Sequence, residues 1–196
     1  MDVVMEVYMR IKDEVLDGKL FVAPLHRKRI SAIMFFRDSA GEVSLLLHEA
    51  KEGKPERAWK EGETRPLPKT PQSWIAPTAK MYRTEDAFET ITDLARKKYG
   101  LSHHDLEQIK ILFPRPLIYM ERSHYWLLIR VRNNNLPSKN HESVNAVEWF
   151  SESSIQTALT AMSEAWRTQL QEVLKECANF DEAFSPLHQA IRASIK

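Results

Sequence analysis

Apolar residues change their spacing several times along the chain, and each change marks a new element. Val4, Val7, Tyr8, Ile11 and Val15 recur at helical intervals and stop at Asp17-Gly18, which predicts an amphipathic helix closed by a residue free to take positive φ. The pattern then becomes strand-like. Arg29 to Phe36 and Glu42 to His48 are short apolar runs on either side of Asp38-Ser39-Ala40-Gly41, whose Asp and Gly supply turn geometry, so the two read as a hairpin.

From Glu49 to Ser73 apolar residues nearly vanish, while Lys, Glu and the prolines Pro55, Pro66, Pro68 and Pro71 accumulate, with Pro77 just beyond. That composition disfavours both helix and ladder pairing and predicts a long surface loop. A helix follows: Ala87, Phe88, Ile91, Leu94, Ala95 and Tyr99 fall on one face, Thr84 is placed to cap the start, and Gly100 stands where a left-handed cap is wanted. Glu85 and Asp86 in its first turn and Arg96, Lys97 and Lys98 in its last are both favourable against the helix dipole.

Further strands are expected at Gln108 to Phe113, Leu117 to Tyr119, His124 to Val131 and Val144 to Phe150. Beyond Phe150 the spacing is helical to the end. Ile155, Leu159, Met162, Trp166, Leu170, Val173 and Cys177 share one stripe, and Ser185-Pro186 suits the start of a last short helix. The expected architecture is α/β, an α/β/α sandwich with a mixed sheet plus added N- and C-terminal helices. Its divisions are a helical extension over 1–18, a core domain over 19–160 with the 49–73 insertion, and C-terminal helices over 161–196 packed on that domain.

Composition narrows the function classes. The 196 residues suit one domain with appendages, and 43% hydrophobic with 28% charged residues is a globular balance without the run of roughly 18 apolar residues a membrane span needs. With 28 basic against 27 acidic residues the net charge is +1, so no global field draws the chain to nucleic acid or membrane, and any anion site must be local. The single Cys177 excludes an internal disulfide framework and, with acids rather than a basic and apolar leader near Met1, fits an intracellular, cytoplasmic setting.

The stretch from Trp74 to Leu101, WIAPTAKMYRTEDAFETITDLARKKYGL, resembles a degraded Nudix box, the pattern G-x5-E-x7-R-E-U-x-E-E-x-G-U in which U is a bulky aliphatic residue. Pro77-Thr78-Ala79-Lys80 stands in the place of the entry turn, Glu85 matches the first glutamate, and Gly100-Leu101 matches the closing pair. The late strand HYWLLIRV and the segment AVEWFSESSI resemble the flanks of the same family, so the likeness runs from Arg29 to Leu159.

The resemblance implies a carboxylate cluster that holds magnesium on a diphosphate and activates water. Here the Arg-Glu pair becomes Asp93-Leu94, and the two later glutamates become Lys97 and Lys98. An ammonium cannot ligate a cation. The expectation is therefore a catalytically degenerate domain that binds a nucleotide, a nucleoside-diphosphate derivative or a short RNA, or serves as an interaction module, with no metal and no standard catalytic residues. Lys80, Lys97 and Lys98 are the candidate phosphate contacts, and Trp74 and Phe36 are either stacking platforms or sheet core.

Two rivals stay open: a magnesium-dependent hydrolase that draws carboxylates from Glu85, Asp93 and Glu121, and a structural subunit without ligand. The terminal helices, with Met162, Trp166 and Leu170 on one stripe, could pack on the domain or present a protein-partner or homodimer surface. His103-His104-Asp105, His124 and His141-Glu142 form no recognisable zinc spacing, and Glu121, Glu142 and Glu148 are candidates for a relocated base.

Overall fold

In a computed structural model, residues 27–50, 73–80, 87–113, 117–119, 122–135 and 144–195 are described. The strands are β1 (Arg27–Arg37), β2 (Val43–Ala50), β3 (Ser73–Ile75), β4 (Thr78–Lys80), β5 (Leu106–Ile111), β6 (Leu117–Tyr119), β7 (Arg122–Val131) and β8 (Val144–Phe150). The helices are α1 (Ala87–Leu94), which continues as a π-helical turn over Ala95–Tyr99, then α2 (Ile155–Ala161), α3 (Glu164–Phe180) and α4 (Ser185–Ser194).

Alternation along the strands sorts the core into two halves. Ile30, Ala32 and Met34 of β1, Leu46 of β2, and Tyr125, Leu127, Ile129 and Val131 of β7 pack with Ile91, Leu94, Ala95 and Tyr99 of the first helix. Ile33, Phe35, Leu45, Leu47, Trp126, Leu128 and Phe150 point the other way, onto Ile155, Leu170, Val173, Cys177, Leu187 and Ile191 of α2 to α4. The result is an α/β/α sandwich. Its sheet is mixed because β1 runs parallel to β7 over Arg27 to Phe35, while β2, β4, β5, β6 and β8 make antiparallel pairs.

The β1–β2 hairpin forms as its residues dictate. The Asp38 carboxylate accepts from the backbone N–H groups of Ala40 and Glu42, and Gly41 takes φ 89°. β4 then lies against the start of β1 and β3 against the end of β2, and the Ala32 N–H donates to the Pro77 carbonyl at 2.9 Å.

Several expectations need correction. The 49–73 stretch is strand at both ends, since Glu49 and Ala50 finish β2 and Ser73 opens β3; residues 51–72 between them, the helix expected over 1–18 and the Thr84 cap lie outside the described residues. The expected turn at Pro77-Thr78-Ala79-Lys80 is extended over its last three residues because Ile30 and Ala79 pair across the ladder. The helical stripe from Ile155 to Cys177 is broken at Met162, which is extended, and restarts at Ser163, whose hydroxyl accepts from the Trp166 N–H. A turn over Glu182–Phe184, capped by Asp181, precedes the last helix, so Ser185 already lies inside it. Among the described residues no helix is long and apolar enough to cross a membrane.

Candidate functional site

The site is built where the first helix ends. Continued as an α-helix, the chain would return Lys98, seven residues after Ile91 and four after Leu94, to the middle of the buried stripe. A lysine cannot sit there cheaply. The wider π turn delays the return by a residue, so Tyr99, five after Leu94, enters the core at 0% exposure and Lys98 is left half-buried at its margin. Gly100 then closes the helix at φ 72°, donating to the Arg96 carbonyl at 3.1 Å, while the Leu101 N–H reaches the Ala95 carbonyl at 3.2 Å.

Tyr99 meets a second buried polar group. Its hydroxyl is hydrogen-bonded to Nδ1 of His48, 2.9 Å away on β2, and His48 is only 2% exposed. Burial, followed by the nearby charge of Lys98, lowers the His48 pKa from 6.5 to about 3. Burial also raises the Tyr99 phenol well above its ordinary range and, together with the charge of Arg29, lowers Lys98. At neutral pH a buried neutral imidazole and a buried neutral phenol thus stand near a partly desolvated ammonium. Such a set can hold an anion, and these three side chains offer no carboxylate to a divalent cation.

The neighbouring charges are already engaged. Asp93 pairs with Arg96 at 2.7 Å and with Lys97, both on its own helix, and these hydrogen bonds hold its carboxyl below the usual range. Lys97 therefore points along the exposed helix surface toward Asp93, while Lys98, alone of the three basic residues in that turn, is drawn toward the sheet. Among the described residues no group of three or more His, Cys, Asp or Glu stands close enough to hold a metal ion.

No family model matches the sequence, and no curated protein does. Solved structures do match in shape. An Ap4A hydrolase of C. elegans in a binary complex superposes with a TM-score of 0.52 at 12% identity, covering 79% of this chain and 96% of that one. A Nudix hydrolase of M. smegmatis, RenU, gives 0.52 at 11%, covering 79% and 87%. The Nudix domain of Shewanella oneidensis NrtR, complexed with ADP ribose, gives 0.50 at 14%, covering 84% and 97%. The chain has a Nudix-like fold.

Within this Nudix-like frame the other candidates fall in different places. Lys80 is exposed at the end of β4, opposite Arg29 of β1, which itself lies opposite His124 of β7. By strand alternation Arg29 and Lys80 share the face of Ser31 and Thr78, whose hydroxyls are 2.6 Å apart, and not the face of Lys98. Phe36 is partly buried on the helix α1 side, its ring 6.3 Å from that of Trp149. Trp74, 8% exposed, packs edge-on against Phe150 at 4.9 Å in the opposite half of the core.

Glu85, Glu121, His141 and Glu142 lie outside the described residues, and Glu148 is exposed. His103 and His104 are exposed neighbours, their rings 3.7 Å apart, while the Asp105 carboxylate accepts from the backbone and hydroxyl of Ser102 in a capping box. Burial pushes the Cys177 thiol up, which keeps it an unreactive core residue. The sequence reading missed His48 and Tyr99, which look like members of an apolar strand and an apolar helical stripe. The one available signal was a histidine closing the run LLLH.

Proposed function

We propose that this chain is a catalytically degenerate Nudix-like domain that binds a nucleotide or nucleoside-diphosphate derivative through fixed cations in place of a metal. The observation that supports the reading is Lys98: a half-buried ammonium near the neutral His48–Tyr99 pair, at the helix end where the Nudix resemblance calls for a metal-binding glutamate. Leu94, at another such position, is given over to the core, and Lys97 is taken by Asp93. Lysine meets phosphate as a point charge and needs no metal to do so. Lys80 and Arg29, at the adjoining ends of β4 and β1, stand on the opposite face of the sheet, and the charge of Arg29 still reaches Lys98.

ADP ribose, bound by one protein of similar shape, and adenine dinucleotides, in keeping with the hydrolase name of another, are the first ligands to try. Calorimetry with these and with short RNAs, with and without magnesium, tests the proposal. Magnesium-independent binding that Lys98→Ala weakens supports it, and binding that requires magnesium and ends in turnover overturns it.

A second reading rests on Asp93, the one carboxylate that persists in this turn and stays ionised. In a hydrolase it would act with Glu85 and Glu121 and with magnesium. Both oxygens of Asp93 are held by Arg96 and Lys97, which weighs against it. Phosphate release from nucleoside diphosphates by the wild type, lost in Glu85→Gln, would favour this reading over ours.

A further inference from the structure

On the other side of the sheet, under α3, stands a group of polar atoms that the cation site does not use. Gln169 is 6% exposed, and among the described residues neither its Oε1 nor its Nε2 has a hydrogen-bond partner. Trp126, 1% exposed, likewise keeps an Nε1 that no described residue accepts from. Buried amides without partners are costly and uncommon, and they point to an occupant that completes them. A leucine in place of Gln169 would continue the apolar face that Leu170, Val173 and Cys177 already form, so packing alone does not call for an amide here.

Aromatic rings stand on the same side of the sheet. Trp166 precedes Gln169 by three residues on the same helix face. Its ring stands edge-on to Trp126 at 6.4 Å and to His124 at 6.3 Å. His124 and Trp126 alternate onto one face of β7, and His124 lies opposite Arg29, which lies opposite Lys80. From His124 across to Lys80 is two strand spacings, roughly 10 Å. An amide, an indole N–H and an indole ring thus lie on the same side of the sheet as two cations. That order of chemistries matches a planar heterocycle carrying phosphate.

We infer that Gln169, Trp126 and Trp166 form a nucleobase pocket, in which the Gln169 amide pairs with a donor and an adjacent acceptor on the base edge and the phosphates lie toward Arg29 and Lys80. The inference rests on the nucleotide-binding reading above, but its base-recognition half can be tested by itself. An amide offers one donor and one acceptor side by side, the complement of edges found on every common base, and Trp126 Nε1 adds a second donor. Trp166, partly exposed, supplies the ring on the open side.

The test separates base from phosphate. Binding of the four common nucleosides, and separately of inorganic pyrophosphate, is measured by calorimetry and by tryptophan fluorescence on the wild type, Gln169→Leu and Trp126→Phe. The wild type should bind at least one nucleoside with a change in tryptophan emission. Gln169→Leu should weaken that nucleoside on the order of 10- to 100-fold while leaving pyrophosphate affinity unchanged. It should also raise the melting temperature, because an unpaired amide leaves the core; a purely structural glutamine would move stability the other way and leave nucleoside affinity alone. Trp126→Phe should give a smaller loss of the same ligand. If no nucleoside binds the wild type, or if Gln169→Leu binds it equally well, the pocket is overturned. Failure of pyrophosphate to bind would instead overturn the cation reading.

Discussion

His48 makes the stability of this protein depend on pH in a way that can be worked out beforehand. Well above pH 6.5 its ring is neutral in the folded and unfolded chain alike and contributes no slope. As pH falls below 6.5 the unfolded chain takes up a proton that the folded chain refuses until about pH 3, because burial, and then the charge of Lys98, disfavour the imidazolium. Unfolding then binds protons, so stability falls with pH through that window. Each pH unit over which only the unfolded chain carries the proton removes about 1.4 kcal/mol. The loss is therefore about 1.4 kcal/mol between roughly pH 7.5 and 5.5, growing to on the order of 5 kcal/mol by about pH 3.

His48→Gln keeps a hydrogen-bonding group near Tyr99 but cannot titrate, so it should lack this component. Urea unfolding of both proteins across that range reads it directly. The wild type should lose about 1.4 kcal/mol more than the variant between roughly pH 7.5 and 5.5. Parallel pH profiles would refute the reasoning, since they would mean that His48 protonates as easily folded as unfolded.

Tyr99→Phe strands His48 Nδ1 in the core and should destabilise by about 1–3 kcal/mol, seen as a fall in Tm of about 2–4 °C per kcal/mol for a chain of this size. Gly100→Ala forces a side chain into the left-handed region at φ 72° and should cost about 1–2 kcal/mol in urea unfolding, without altering ligand affinity. Lys97→Ala, which removes an exposed pair with Asp93, should change stability by less than about 1 kcal/mol and leave pyrophosphate binding unchanged, whereas Lys98→Glu should abolish it in the same titration.

The sequence made most of the sheet legible because its signal is local. Leu117–Tyr119 and Val144–Phe150 are bounded by their own breaks, and β1, β2 and β7 differ from expectation only at their ends. What could not be read depends on partners distant in the chain. The three-residue strands β3 and β4 exist only because β2 and β1 offer free edges, and the parallel match of Arg27 to Phe35 with Arg122 to Arg130 has no local sign.

The helix shows the same division. Its apolar stripe and its glycine cap were readable, but periodicity alone did not reveal the π turn, which settles competition between Lys98 and Tyr99 for one buried position. The lysines could be seen to replace carboxylates, yet nothing in their spacing distinguished Lys97, paired with Asp93, from Lys98, whose charge adds to the burial that keeps the His48 imidazole neutral. Gln169 was invisible for a related reason: one polar letter in a helical stripe reads as the stripe's edge until its burial is known.

The central claim is that the end of the first helix presents cation rather than carboxylate to whatever binds there. Crystals soaked in manganese, with anomalous scattering used to locate the ion, test it most directly. No manganese density is expected within bonding distance of Asp93, Lys97 or Lys98, with or without a nucleoside diphosphate present. A manganese ion seated at that helix end and held by side-chain oxygens would contradict the claim.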